Sequence, residues 1–219
     1  MTLGELAFVS FVFSRLDTGS YERLLDETDG CIELSKLDHR LATIRWLSAW
    51  GIRAIPRNYH ETPSDMSDQM KSWYESNALF EQVDRDRNLH ELTDNDFVSV
   101  RTAYNNLLNV RYVGPTAAAK ILFAVRPKAL MMWDEPIKKA LRHSGKAESY
   151  VNFLKQIQSM VRNVEELCKK YGFELMDLPN KLGRPNLTIP KLIDEYLWLT
   201  ITKGLKPSKD DFQRWAEWG

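Results

Sequence analysis

The residue with the most direct chemical use in this 219-residue chain is a lone aspartate, Asp134, which follows an apolar run and precedes Glu135-Pro136. A carboxylate held beside a reacting centre can stabilise a developing positive charge and orient an attacking water. An aspartate before Glu-Pro is also a common helix N-cap. Asp134 is therefore a catalytic group or a plain cap, and we favour catalysis because of the residues that precede it.

A short turn and a small-residue helix lie upstream of Asp134. Gly114 gives the turn its flexibility and Pro115 occupies the first helical position, while Ala117 to Ala119 allow a close approach between helices. Backbone N–H groups at a helix N-terminus form a ready site for a phosphate. With a preceding helix over Asn95 to Asn109, this segment predicts a hairpin that grips a DNA backbone.

The charges are segregated along the chain, although the formal net charge is zero. From Glu61 to Asp96 ten acids face three bases, a net charge of −7, and from Arg101 to Lys146 nine bases face two acids, a net charge of +7. A positive face of this kind suits a polyanion, whereas the alternative is a set of solvated helix faces. The predicted DNA-binding residues are Arg111, Val113, Gly114, Thr116, Lys120, Arg126 and Lys128.

The elements that must position these residues are helical throughout, because apolar residues recur at helical spacing and no alternating strand pattern persists. We therefore predict an all-α fold. Helices are expected over Leu3 to Arg15, Ser35 to Trp50, Ser64 to Leu79, Asn95 to Asn109, Pro115 to Val125, Glu135 to His143, Ala147 to Tyr171, Pro190 to Thr202 and Lys209 to Trp218. Loops are expected over Ile52 to Pro63, Phe80 to Leu92 and Asp177 to Ile189.

The composition predicts a globular protein without a built-in metal or redox centre. Hydrophobic residues make up 43% of the chain, which is enough for one substantial core. The two cysteines, Cys31 and Cys168, are too few for a four-cysteine cluster, and the four histidines are dispersed. Neither a secretory signal nor a membrane span is evident, so we expect a cytoplasmic monomer.

The hairpin resembles the helix-hairpin-helix motif, whose usual turn is Leu-Pro-Gly-Val-Gly. The corresponding residues run from Val110 to Gly114, with Arg111 in place of the proline and Tyr112 in place of the first glycine. In the helix-hairpin-helix DNA glycosylases, the superfamily of endonuclease III and the adenine and 8-oxoguanine glycosylases, a catalytic aspartate follows the hairpin. In the lyase members of this superfamily, a Schiff-base lysine lies at the position that aligns with Thr116. Here Asp134 follows Thr116 by 18 residues, which is the spacing between that lysine position and the aspartate in endonuclease III-like members.

This resemblance implies a single globular unit with a two-lobed helical fold. It also implies that the substrate is double-stranded DNA containing a damaged or modified base. One lobe would span about residues 30–130, the other would combine residues 1–29 and 131–219, and a cleft would separate them. Asp134 would stabilise the oxocarbenium-like state while the flipped base sits in a pocket. Trp133 and Trp50 are candidates for lining this pocket or for a wedge that enters the DNA duplex. Trp50 ends the run Leu47 to Trp50, which is similar to the run that carries the duplex wedge in endonuclease III.

Thr116 occupies the position of the Schiff-base lysine in the lyase members. A hydroxyl forms no imine, so the resemblance implies base removal without strand cleavage. Lys120, one turn later on the same face, is an alternative source of an amine, although we prefer phosphate contact for it. The resemblance further implies a structural cation held by the backbone of Leu108, Val110 and Val113, and no iron-sulfur cluster. Other cofactors are not expected.

Two other classes of function are open. A helix-hairpin-helix protein that binds DNA without catalysis would use Asp134 only as a cap. A helical protein-interaction module would instead present the tryptophan-rich C-terminus, with Trp198, Trp215 and Trp218, as its partner surface. Steep salt sensitivity of DNA binding would argue against the interaction module, because phosphate contacts weaken as the salt concentration rises.

Overall fold

The fold is all-α, which confirms the predicted class. A computed structural model describes residues 1–16, 19–56 and 65–218, and within these ranges every regular element is helical. The α-helices are α1 (Leu3–Leu16), α2 (Ser20–Asp26), α3 (Leu37–Ala49), α4 (Asp65–Glu75), α5 (Leu79–Gln82), α6 (Asp94–Leu107), α7 (Pro115–Val125), α8 (Glu135–Ala140), α9 (Ala147–Lys170), α10 (Leu178–Lys181) and α11 (Ile189–Leu197). Short 3₁₀ segments cover Leu89–Glu91, Leu175–Asp177 and Gln213–Trp218, and a π-helical turn, Trp198–Thr202, continues α11.

Capping residues in the sequence place several of these helices correctly. Thr93 and Asp96 form a capping box at the start of α6, with the Thr93 amide donating to the Asp96 carboxylate at 2.7 Å. Gly51 and Gly172 follow α3 and α9 with φ of +78° and +79°, a region that glycine adopts without steric strain. Pro115 begins α7 as predicted. Local chemistry therefore sets these boundaries.

Other predictions of helix and loop need correction. The predicted loops over Phe80 to Leu92 and Asp177 to Ile189 contain short helical segments, including Leu89–Glu91 and α10. Helix α2 was not predicted, and the predicted C-terminal helix begins only at Gln213, in 3₁₀ form. These segments are three to seven residues long, too short to show helical periodicity. Part of the predicted loop at residues 52–63, together with residue 64, lies outside the described residues.

One continuous apolar core runs from α1 to α11, with α7 at its centre. Helix α7 packs on α3 and α6, and α1 packs on α11. The packing of the first helix on the last agrees with a lobe built from both ends of the chain, but the division into two lobes stays a prediction. In the part of the chain that is described, no helix is long and apolar enough to cross a membrane.

Candidate active site

The hairpin joins α6 to α7 through residues 108–114. Tyr112 adopts φ of +64°, the left-handed conformation, and it stands where the helix-hairpin-helix motif has its first glycine. The amide of Val113 donates to the carbonyl of Val110 at 3.0 Å, which closes the turn. The tight turn therefore forms without that glycine, with a tyrosine in the strained position.

The end of the hairpin is open for a ligand at Gly114, where an added Cβ would meet no atom within 4 Å. Thr116 is half-buried in the first turn of α7, where helical N–H groups have no partner within the helix. The amide of Val113 is already bonded within the turn, and Pro115 has no N–H. Of the predicted phosphate-binding amides, those of Gly114 and Thr116 therefore fit the role, whereas that of Val113 does not.

A cavity of about 100 Å³ opens where α7 meets the start of α8 and the end of α11. It is lined by Trp50, Thr116, Lys120, Met132, Trp133, Asp134, Ile137, Asp194 and Trp198. Two of the residues singled out from the hairpin sequence, Thr116 and Lys120, thus share one cavity with Asp134. The lining residues come from both of the chain segments that were assigned to separate lobes, and the division into lobes stays a prediction.

Asp134 caps α8 and also faces this cavity. Its Oδ1 accepts the amide of Ile137 at 2.8 Å, and its Oδ2 accepts the hydroxyl of Thr202 at 2.8 Å. The residue is half-buried. Each carboxylate oxygen can accept a further hydrogen bond, so capping does not exhaust the group. The two readings of Asp134, as a cap and as a functional carboxylate, are therefore compatible in one geometry.

Lys120 is buried beside Asp134 rather than exposed. Only 4% of the residue is exposed to solvent, and its Nζ lies 3.9 Å from the centre of the Trp50 ring. Burial lowers the pKa of Lys120 from 10.5 to about 8, against the opposing effects of the Asp194 and Asp134 carboxylates. At neutral pH the amine is therefore mainly protonated, yet it can lose its proton far more easily than a surface lysine.

A buried network of charges lies behind the cavity on α11. Lys191 donates to Asp194 at 3.1 Å and lies 3.4 Å from Glu195, which also pairs with Arg184. Burial raises the pKa of both acids, while the neighbouring Lys191 lowers it. Lys191 is therefore the direct partner of Asp194, and the carboxylates of Asp194 and Asp134 both act on the charge of Lys120.

An aromatic groove adjoins the cavity. It encloses about 360 Å³ and is lined by Phe13, Leu16, Ser20, Ala49, Trp50, Gly51 and Trp198. Trp50 and Trp198 line both the groove and the cavity, and both are half-buried. The indole N–H of Trp50 donates to Ser20 Oγ, which fixes its ring. A flat ligand in the groove would contact these two indoles, which also line the cavity that holds Lys120 and Asp134.

Trp133, the other pocket candidate, is part of the core. Its residue is 1% exposed, its ring packs on Tyr104, Tyr150 and Phe153, and its Nε1 donates to the carbonyl of Pro115 at 3.1 Å. The indole is therefore not available as a duplex wedge. It supports the cavity instead, because it ties the residue before Asp134 to the first residue of α7.

Two of the predicted contacts with the DNA backbone, one lysine and one arginine, need correction. Lys120 and Arg126 are each 4% exposed, and the Arg126 guanidinium donates to the carbonyls of Val83 and Val125 at 2.6 and 2.8 Å. A DNA backbone on the surface cannot reach either charge. Amphipathic spacing predicted exposure for Lys120, but α7 is buried on nearly all sides.

The predicted one-sided positive face is reduced at two positions, where the basic and acidic segments pair with each other. Arg111 Nη1 lies 2.7 Å from Asp65, and Lys128 Nζ lies 2.6 Å from Asp86. These two ion pairs offset part of the charge segregation along the chain, and the one-sided positive face stays a prediction. Both basic side chains are half-exposed, so their contact with DNA stays a prediction that requires exchange of ion-pair partners.

Sequence reasoning missed two other basic residues near the hairpin. Gly145, with φ of +83°, places its Cα against Pro115, so that an added Cβ would lie 3.2 Å from the Pro115 ring. Arg142 and Lys146 flank this contact in the chain and are exposed. They are better placed than Arg126 to meet a phosphate at the start of α7. Only the packing of Gly145 on Pro115 reveals this proximity.

No group of three histidine, cysteine or acidic side chains that could hold a metal ion is found among the described residues. The hairpin cation predicted on the backbone of Leu108, Val110 and Val113 involves carbonyl groups instead. The Val110 carbonyl accepts the Val113 amide and retains a second lone pair. That site stays a prediction.

Residues 70–174 match the model of a family of unknown function, DUF6308. The matched stretch includes the hairpin, Lys120 and Asp134. No curated protein and no solved structure matches the chain.

Proposed function

We propose that this protein is a DNA glycosylase that hydrolyses the N-glycosidic bond of a damaged or modified base flipped out of double-stranded DNA. The observation that carries the proposal is the shared cavity, in which Asp134 meets Thr116 of the hairpin helix and the indole of Trp50. The resemblance of the hairpin to the helix-hairpin-helix glycosylases supports the same assignment. Its place would be base excision in DNA repair, or the removal of modified bases from foreign DNA.

Asp134 would act on the sugar. Breaking the bond between the sugar and the base leaves positive charge on C1′ and the ring oxygen, and a nearby carboxylate stabilises that charge. The Thr202 hydroxyl and the Ile137 amide hold the carboxylate in one orientation. A carboxylate fixed before the reaction needs no reorganisation as the charge develops, so these two hydrogen bonds favour catalysis.

Base removal would proceed without strand cleavage. Thr116 lines the cavity at the position of the lyase lysine, and its hydroxyl cannot form an imine with C1′. The expected product is an intact strand containing an abasic site. Reaction mixtures would then show strand breaks only after alkali treatment.

The proposal is tested by incubating the full chain with duplexes that each carry one modified base, and by revealing abasic sites with alkali. We expect wild type to release at least one base and Asp134→Asn to be slower by about 10² to 10³ fold, the usual effect of losing one electrostatic group. Asparagine keeps the N-cap, so both proteins should unfold at similar temperatures. Equal rates for the two proteins would refute the role of Asp134.

A DNA-binding protein without catalysis is the second candidate. It is favoured by one observation, that both Asp134 oxygens already accept hydrogen bonds within the protein. The same screen separates the two functions. Salt-sensitive binding of duplex DNA with no base released from any substrate would support this second candidate.

A further inference from the structure

Lys120 is a buried amine that the proposed hydrolysis does not yet use. It lies on the cavity wall, and its neighbours come from three helices. The charged groups that face it are Asp134 at the start of α8 and Asp194 and Lys191 on α11, while α3 presents the rings of Trp46 and Trp50. A buried ammonium without a dedicated salt bridge is costly, so it is unusual unless it has a function.

The cavity wall carries both signs of charge. Lys120, Asp134 and Asp194 line the space, and Asp134 is held by Thr202. A base that enters the cavity would meet the Lys120 ammonium, which covers one face of the Trp50 ring at 3.9 Å from its centre. The sugar would then face the carboxylate.

We propose that Lys120 is the general acid of the reaction, which donates its proton to the departing base. This inference rests on the proposed glycosylase function and assigns a second catalytic residue to the same cavity. Because Lys120 lines the same cavity as Asp134, its ammonium would contact a base that fills this cavity. General acids with a pKa near the working pH are the most effective, and the pKa of Lys120 of about 8 meets that condition.

The step balances as follows. The C1′–N bond breaks, its electron pair leaves with the base, and the Lys120 ammonium transfers one proton to a nitrogen or carbonyl oxygen of that base. Asp134 stays ionised and stabilises the cationic sugar. Water then adds its oxygen to C1′ and releases a proton, which restores the ammonium. One water is consumed, and the products are the neutral base and the abasic sugar.

A substrate preference follows from this role. Neutral bases such as uracil or 8-oxoguanine leave poorly unless they are protonated or stabilised as anions, so they need the acid. A guanine methylated at N7 is already cationic and leaves as a neutral molecule without one. We therefore expect the enzyme to act on neutral modified bases, and we expect the loss of Lys120 to affect these bases selectively.

The test measures single-turnover base release and kcat/KM against pH for wild type, Lys120→Gln and Lys120→Arg. The substrates are the duplexes from which wild type releases a base, together with a duplex that carries N7-methylguanine. Lys155→Gln is the matched control, because Lys155 is half-exposed, pairs with Asp94 and lies outside the cavity. Thermal unfolding of each variant verifies that it is folded.

For a neutral base we expect Lys120→Gln to be slower by about 10² to 10⁴ fold. The kcat/KM of wild type should fall tenfold per pH unit above about 8, and this fall should disappear in Lys120→Gln. Lys120→Arg should also be slow, because a guanidinium keeps the charge but does not release its proton.

Two results would overturn the inference while leaving the glycosylase function intact. One is base release by Lys120→Gln at the wild-type rate, and the other is an equal loss for neutral and N7-methylated bases with no change in the pH profile. If wild type releases no base from any duplex, the proposed function and the role of Lys120 both fail. The two failures are therefore distinguishable.

Discussion

Replacing Lys120 with methionine should make the protein more stable, although it removes the residue that we assign to proton transfer. Methionine has a similar length, and its apolar side chain suits a site beside the Trp46 and Trp50 rings. The wild-type lysine is held in the cavity at an energetic cost. That cost is expressed in the pKa of its ammonium, which burial lowers from 10.5 to about 8.

The magnitude follows from proton linkage. The unfolded chain binds the Lys120 proton more tightly than the folded chain, so the penalty is fully present below pH 8 and fades as the pH rises towards 10.5. A shift of this size corresponds to about 3 kcal/mol at pH 7 and only about 1 kcal/mol at pH 10. At pH 7 Lys120→Met should therefore raise the melting temperature by about 6–12 °C.

Urea unfolding of wild type and Lys120→Met at pH 7 and pH 10 provides the assay. The stability difference between the two proteins should shrink as the pH rises. Lys155→Met is the control, since its side chain is half-exposed and its removal should change stability little at either pH. A Lys120→Met protein that is no more stable than wild type at pH 7 would refute the claim that the ammonium is buried unfavourably.

Two further predictions concern the elements that hold the cavity. Asp134→Ala should lower the free energy of unfolding by about 2 kcal/mol, because it loses the hydrogen bond that caps Ile137 and a second one to Thr202. Asp134→Asn keeps the cap and should lower the free energy of unfolding by less than about 0.5 kcal/mol. Chemical denaturation would measure both values, and equal losses in the two variants would contradict the capping role. Gly145→Ala should cost at least about 1 kcal/mol more than Gly183→Ala. Both glycines have positive φ, but only at Gly145 would the new Cβ lie 3.2 Å from Pro115, so equal melting temperatures would show that this contact is not tight.

The fold was largely predictable because its long helices carry their own signals. The boundaries of α7 agree with those predicted from Pro115 and the alanine run, and the start of α6 follows from the capping box at Thr93. Short segments such as α2 were missed, since seven residues are stabilised mainly by what they pack against. The π-helical turn after α11 was likewise read as a plain continuation of the helix.

The residues of the candidate site were predictable mainly where they are close in sequence, and Trp50 was the distant cavity residue that the resemblance also indicated. Asp134 and Thr116 were found from the hairpin and its spacing, and the structure places both on one cavity. Asp194 and Trp198 were missed as cavity residues because only tertiary packing brings α11 to α7. Lys120 was misplaced on the surface, because helical periodicity tells which residues share a face but not whether a second helix covers that face.

The residues that line the cavity lie partly inside and partly outside the stretch that matches the family model. Proteins that share only this stretch would therefore share only part of the cavity lining. Lys120 and Asp134 lie within residues 70–174, whereas Trp50 and Trp198, which form the entrance, lie outside them. Changes in the flanking segments would therefore reshape the cavity around Lys120 and Asp134 without replacing either residue. Under the proposed function, selectivity for a base would then vary with the flanks, while the two residues assigned to the chemistry are retained.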